Sequence, residues 1–218
     1  MTTESTAALE LEKPAGAEAR GDSAKRRQII DGACDVFLTQ GFDAASMGAI
    51  AKEAGVSKGT LYVYFKSKED LFEAIVEEQC QLQAQAIFTF DQQADVEAEL
   101  RRVGEQLAQF LCRRPGGISP LRIVMAIADR MPELGARFYA SGPARSIASL
   151  KGYLESKVAE RVLRPHDCEV AAAQFIDSCV SLTFKPMLFN FSGPPTDAQI
   201  AYVVDIAVRT FLAAYGKR

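Results

Sequence analysis

The sequence is poor in the side chains that most enzymes and metal proteins depend on. It holds 1 histidine and 5 cysteines in 218 residues, with no CxxC pair and no His/Cys cluster at zinc spacing, so no metal site is expected. It has no glycine-rich phosphate loop, no GxSxG turn and no carboxylate or thiolate cluster at nucleophile spacing, so neither catalysis nor a cofactor is expected. No run approaches the roughly 18 uninterrupted apolar residues of a membrane helix, because Lys185, Pro186 and Asp205 break the most apolar stretches. Period-two alternation long enough to make a strand is missing as well. The cysteines, Cys34, Cys80, Cys112, Cys168 and Cys179, are odd in number and unpaired in spacing, which fits a reducing cytoplasm and the filling of small core gaps.

What remains reads as helix throughout, an all-α chain. With 48% hydrophobic residues it can bury a sizeable core. The net charge of −3 excludes a basic coat but not a basic face. Residues 1–19 carry 4 acids against 1 base and have no positive start or apolar centre, so residues 1–21 are expected to be a disordered leader and not a signal peptide. From Ser23 to Gln40 the residues Ile29, Ile30, Ala33, Val36 and Phe37 recur at spacings of three and four, one stripe of an amphipathic helix that Gly41 stops. Ser46 caps a short helix, Gly55 ends it in the left-handed region, and Ser57 caps another over 57–65. Ser67 with Asp70 then opens a long connector reaching about Phe88 or Phe90.

Residues 46–71 hold the densest information. A short helix, a tight glycine turn, a second short helix and a charged cap in one register have the layout of a recognition hairpin, which places a DNA-binding unit at 22–68. A helix entering the major groove presents small or polar residues near its N-terminus, which Lys58, Gly59 and Thr60 satisfy. The hydroxyls of Tyr62 and Tyr64 can reach phosphates, and Tyr62 can also reach a base edge. Lys68 at the connector's start and Ser46 on the other side of the turn can hold the backbone. Lys25, Arg26 and Arg27 can lie along the backbone or reach a minor groove, or be a solvated tail.

The run GVSKGTLYVYFKSKEDL, preceded by IAKEAG and by FLTQGFD, resembles the signature of the tetracycline-repressor (TetR) family over about residues 25–72. The resemblance implies a dimeric regulator of double-stranded operator DNA. Its base and adjacent phosphate contacts would fall on Lys58, Gly59, Thr60 and Tyr62, and its backbone contacts on Ser46, Tyr64 and Lys68. One departure is that Gly48 and Ala49 stand where family members often carry a long polar residue, so base contacts from that helix are not expected.

Residues 69–218 would form an effector-binding and dimerisation domain. Helix signals recur at Ser119-Pro120, at Pro132, at Gly142-Pro143 and at the Thr196-Asp197-Ala198-Gln199 capping box. Residues 120–154 more loosely resemble the ligand domains of AcrR-like repressors. Phe88, Phe110, Met125, Phe138, Tyr139 and Tyr153 offer apolar groups for a small apolar or aromatic effector, although the same residues at helical spacing also suit core packing. The last two helices, carrying Ala171, Phe175, Cys179 and Leu182 on one and Ile200, Val204, Val208 and Phe211 on the other, have wide apolar faces. By the resemblance these would pair across a twofold axis. The expectation is a cytoplasmic, ligand-released repressor, and the alternative is a DNA-binding regulator controlled by a protein partner or thiol oxidation.

Overall fold

The structure, a computed structural model, describes residues 15–113 and 120–217, and the side chains of these except 15–22, 76–84 and 120. Eleven α-helices are described: α1 Ala15–Gln40, α2 Met47–Glu53, α3 Lys58–Tyr64, α4 Lys68–Ile87, α5 Val96–Cys112, α6 Pro120–Ile127, α7 Pro132–Ser141, α8 Pro143–Ala159, α9 Cys168–Val180, α10 Lys185–Leu188 and α11 Asp197–Tyr215. Among the described residues no strand occurs, and the one bridge joins Leu163 to Gly216.

The helix starts follow their caps. Ser46 accepts from the Ala49 N–H, Ser57 from the Thr60 N–H, and Thr196 forms the full capping box with Gln199. Each satisfies a donor that the first turn leaves unpaired. Gly41 and Gly55 both adopt positive φ, +78° and +62°, and so turn the chain sharply after α1 and α2. Two starts differ from expectation. Helix α1 begins at Ala15 and so includes the last seven residues of the expected leader; Ala15, Ala17, Glu18, Ala19 and Arg20 are good helix formers onto which the stripe at Ile29 can propagate. Residues 1–14 lie outside the described residues. The 167–190 helix is divided, because α9 ends at Val180 and the turn before Pro186 starts the short α10.

Two cores organise the chain. The C-terminal core is built by α5, α8, α9 and α11, with Leu100, Val103, Leu150, Leu154, Ala171, Ala172, Cys179, Val204 and Val208 almost completely buried. Gly104 lets these helices close up, since a β-carbon there would stand 2.8 Å from Val204 Cγ1 and 2.9 Å from Cys179 Sγ. The N-terminal core gathers Ile29, Ile30, Phe37, Ile50, Leu61, Leu71, Phe72 and Ile75 from α1 to α4. The rings of Phe37, Phe42 and Phe72 meet in a triangle of 5.2, 5.8 and 5.6 Å between centroids. Each such ring contributes on the order of 1.5–3 kcal/mol by leaving water.

The N-terminal core does not stop at the connector. Val124 and Ile127 of α6 and Leu134 of α7 are buried in it, with Ile123, Met131 and Phe138 packed against its edge. Two ion pairs cross the same seam, Arg130 to Asp43 at 2.7 Å and Arg137 to Glu73. Both are exposed and contribute little stability by themselves. The apolar contact is what fastens the C-terminal half to the first four helices.

Much of the expected dimer face is used within the chain. Ala171, Ala172, Phe175 and Cys179 of α9, and Ile200, Val204, Ala207, Val208 and Phe211 of α11, are buried in the C-terminal core. A helix on the edge of a three-dimensional core buries one stripe internally, so only the residues off that stripe are left for a partner. The large apolar residues exposed there are Val170, Tyr202 and Ile206, with Leu182 in the following turn. Helix α11 alone among the described helices is long and apolar enough to cross a membrane. Its inward stripe is core, and its outer side carries Asp205 paired with both Arg101 and Arg209.

Candidate nucleic-acid interface

Helices α2 and α3 form the hairpin, and α1 and α4 hold it. Gln28 of α1 donates to the Ala54 carbonyl at the end of α2 at 2.6 Å. Gly32 of α1 lies so close to α2 that a β-carbon would reach the Ala54 backbone nitrogen at 2.7 Å. The sequence pattern did not point to Gln28, because a polar residue beside an apolar stripe looks solvated until the facing carbonyl is known.

Helix α3 buries only Leu61, with Phe65 following at its end. Residues two positions away from Leu61 therefore point outward, at about 100° per residue. Lys58, Gly59 and Tyr62 are exposed, Tyr62 by 52%, and Val63 by 81%. Val63 was not among the expected contacts. The signal was available, since it stands about 200° round the helix from Leu61, but an apolar residue invites assignment to the core. Thr60 is half-buried, and its hydroxyl pairs with that of the cap Ser57 at 2.8 Å, so it braces the first turn as well as facing outward.

The expected backbone-contact residues divide. Ser46 is exposed at the start of α2. Tyr64 is half-buried and packs against the N-terminal core, leaving part of its ring outside. Lys68 differs from expectation. Its ammonium donates to the carbonyl oxygens of Phe42, Asp43 and Ala45 at 2.8, 3.1 and 3.4 Å and lies 4.7 Å from the Phe42 ring centroid. The turn between α1 and α2 leaves these carbonyls without helix partners, and a cation satisfies all three. Lys68 thus secures the turn that leads into α2. Of the basic cluster, Lys25 bonds Gln28 at 3.0 Å and Arg26 lies 5.4 Å from the Phe65 ring centroid. Arg26 therefore sits beside the end of α3, which a freely solvated tail would not, while Lys25 pairs within α1.

The six expected effector residues are not brought together. Phe88, Phe110 and Tyr153 belong to the C-terminal core, Phe138 to the N-terminal core, and Met125 and Tyr139 are each 57% exposed. Their helical spacing reflects which core each helix faces, which sequence spacing does not encode. Tyr153 stacks on Phe90 with centroids 4.4 Å apart. Its buried hydroxyl has no hydrogen-bond partner among the described residues, and burial pushes it up to about 12. Two open concavities are lined by other residues. One, of about 550 Å³, lies between α8 and the start of α9 beside Lys151, His166 and Glu169; the other, of about 380 Å³, is a groove between α9 and α11 beside Gln174, Asp177 and Thr210.

Residues 29–75 match the family model described as bacterial regulatory proteins, tetR family, and residues 98–217 match the AefR-like transcriptional repressor, C-terminal domain. Among solved structures, a TetR-family transcriptional regulator from Mesorhizobium loti superposes with a TM-score of 0.80 at 29% identity, over 89% of this chain and 98% of that one. The flavonoid-responsive regulator FrrA gives a TM-score of 0.74 at 34% identity, over 90% and 99%. The transcriptional activator FasR of Mycolicibacterium smegmatis is 41% identical over 69 residues, which is 30% of this chain and 32% of that protein. The chain covers about a third or less of the first curated relatives it matches. With a hairpin of this geometry and family models spanning both halves, the chain belongs to the TetR family of transcriptional regulators, and its C-terminal half is AefR-like.

Proposed function

We propose that this chain is a cytoplasmic repressor that binds a palindromic operator as a homodimer and is released by a small apolar or aromatic effector. Lys58, Gly59, Thr60, Tyr62 and Val63 would meet base edges and adjacent phosphates, the Val63 methyls suiting a thymine methyl. Ser46 and Tyr64 would hold the backbone on either side, and Lys68 would act through the turn it secures. The outward residues Val170, Leu182, Tyr202 and Ile206 suit a partner copy, as two half-sites require two hairpins.

The observation that carries ligand control is the shared core. Leu61 of α3 and Val124, Ile127 and Leu134 of α6 and α7 are buried in one cluster. An effector that prefers a shifted α6–α7 therefore moves the recognition helix, and operator affinity falls by its differential affinity for the two states. The flavonoid-responsive regulator is similar over nearly the whole chain, which supports a flat aromatic effector. Burial raises the thiols of Cys112, Cys168 and Cys179 and so holds them protonated, which disfavours oxidation at these three.

The test is selection of bound duplex from a random pool by the purified chain, repeated with flavonoids and other flat aromatic compounds. A palindrome released by one compound supports the full reading. A palindrome indifferent to every compound removes the effector and favours control by a protein partner. Enrichment of a site without twofold symmetry removes the homodimer on DNA.

A further inference from the structure

Gly48 is the second residue of α2, a place where glycine weakens a helix relative to alanine. Its backbone does not call for glycine, because Gly41 and Gly55 are the positive-φ glycines among the described residues and Gly48 is not. Its surroundings explain it better. A β-carbon on Gly48 would stand 3.1 Å from Lys58 Cε and 3.4 Å from Lys58 Nζ, with Ser46 Oγ next at 3.9 Å. The side chain of Lys58 therefore leaves α3, crosses the turn and lies on the bare backbone of α2.

The contact differs in kind from those of Gly32 and Gly104. A β-carbon on Gly32 would meet the backbone of Ala54, and one on Gly104 would meet buried side chains. At Gly48 it would meet only the far end of a long exposed side chain, which can move away without disturbing the hairpin. Filling the space changes where one ammonium sits and leaves the fold intact.

We propose that Gly48 is a specificity-determining position: its missing side chain makes a shelf on α2 that holds Lys58 across the turn and sets which acceptor on the DNA its ammonium meets. A lysine otherwise loses most of its rotamer freedom on binding, and a stem already laid along α2 loses less, so the preference for one acceptor sharpens. The acceptor is an oxygen or ring nitrogen on a base edge of duplex DNA. The inference rests on the reading of residues 58–63 as the DNA-facing edge.

The experiment compares wild type, Gly48→Ala, Gly48→Leu, Lys58→Ala and the Gly48→Ala/Lys58→Ala double variant. Each is titrated with the duplex selected by wild type and with a scrambled duplex, at several salt concentrations. Selection of a site by wild type tests the underlying reading separately. Gly48→Ala is expected to keep or raise the melting temperature and to weaken the selected duplex roughly tenfold, the size of one base contact. The scrambled duplex should be weakened far less, Gly48→Leu should lose at least as much as Gly48→Ala, and the alanine effect should vanish in the Lys58→Ala background. An equal loss on both duplexes would place the ammonium on a phosphate and overturn the specificity claim. A loss that persists without Lys58, or no loss at all, would overturn the shelf.

Discussion

The Lys68 ammonium donates to the Phe42 carbonyl at 2.8 Å while lying 4.7 Å from the centroid of the Phe42 ring. One residue of the connector helix thereby holds the turn that starts the hairpin, joining α4 to α2 across 26 positions of sequence. Lys68→Ala leaves three carbonyls short of a donor, and the expected cost is about 1.5–3 kcal/mol, measured by urea unfolding. Operator and nonspecific DNA should then weaken together. Unchanged stability with a shallower salt dependence would instead assign Lys68 to a phosphate.

Lys58 and Tyr62 stand one turn apart on α3 and are both exposed, whereas Leu61 is buried. Lys58→Ala and Tyr62→Ala are each expected to cost about 1–3 kcal/mol on the preferred site and to relax base preference at distinct positions, read by repeating the selection with each variant. Folding stability should hardly change, because both side chains are exposed. Losses identical on every sequence would remove the base-reading role.

Leu134 lies in α7, yet it is buried in the core that holds the hairpin. Leu134→Ala is expected to cost about 2–5 kcal/mol, and amide exchange should speed up in α1 to α3 as well as in α7. Were faster exchange confined to α6 and α7, the two halves would not share a cooperative core, and the proposed route from effector to DNA would lose its support.

Glu99 is held below its ordinary value of 4.5, mainly by the hydrogen bonds from Arg102. The guanidinium donates to both oxygens, at 3.0 and 2.7 Å, and also to the Ile87 and Thr89 carbonyls at the end of α4. Because the folded value is the lower one, the stabilisation is complete above about 4.5 and is lost as pH falls from there through the folded value. Wild type should lose stability more steeply than Glu99→Gln below pH 4.5, and near neutral pH Glu99→Gln should be the less stable. Parallel acid curves would count against this pair.

Gly104 sits where α5 meets α9 and α11. Alanine in a helix usually gains about 0.5–1 kcal/mol over glycine, but here its β-carbon would press on Val204 and Cys179, both fully buried. Gly104→Ala is therefore expected to lose about 1–3 kcal/mol overall, seen as a lower midpoint in urea. A stabilised variant would mean that the core can open at this seam.

Local chemistry was readable from the chain. Ser46, Ser57 and Thr196 cap the helices they precede, Gly41 and Gly55 turn left-handed, and the Ile29–Phe37 stripe faces inward, because caps, turns and helical period depend only on near neighbours. Which core a residue joins was not readable. Phe138 and Tyr153 look alike in sequence, yet one packs beside the hairpin and the other inside the α5–α8–α9–α11 bundle, since that assignment depends on how separate helices cross. Lys68 illustrates the same limit: its position at a helix start suggested a phosphate, and three carbonyls brought in from the α1–α2 turn claimed it. Helix and turn are set by contacts within about four residues. The partner of an ammonium, or the core an aromatic ring fills, is set by segments that meet only when the chain has folded.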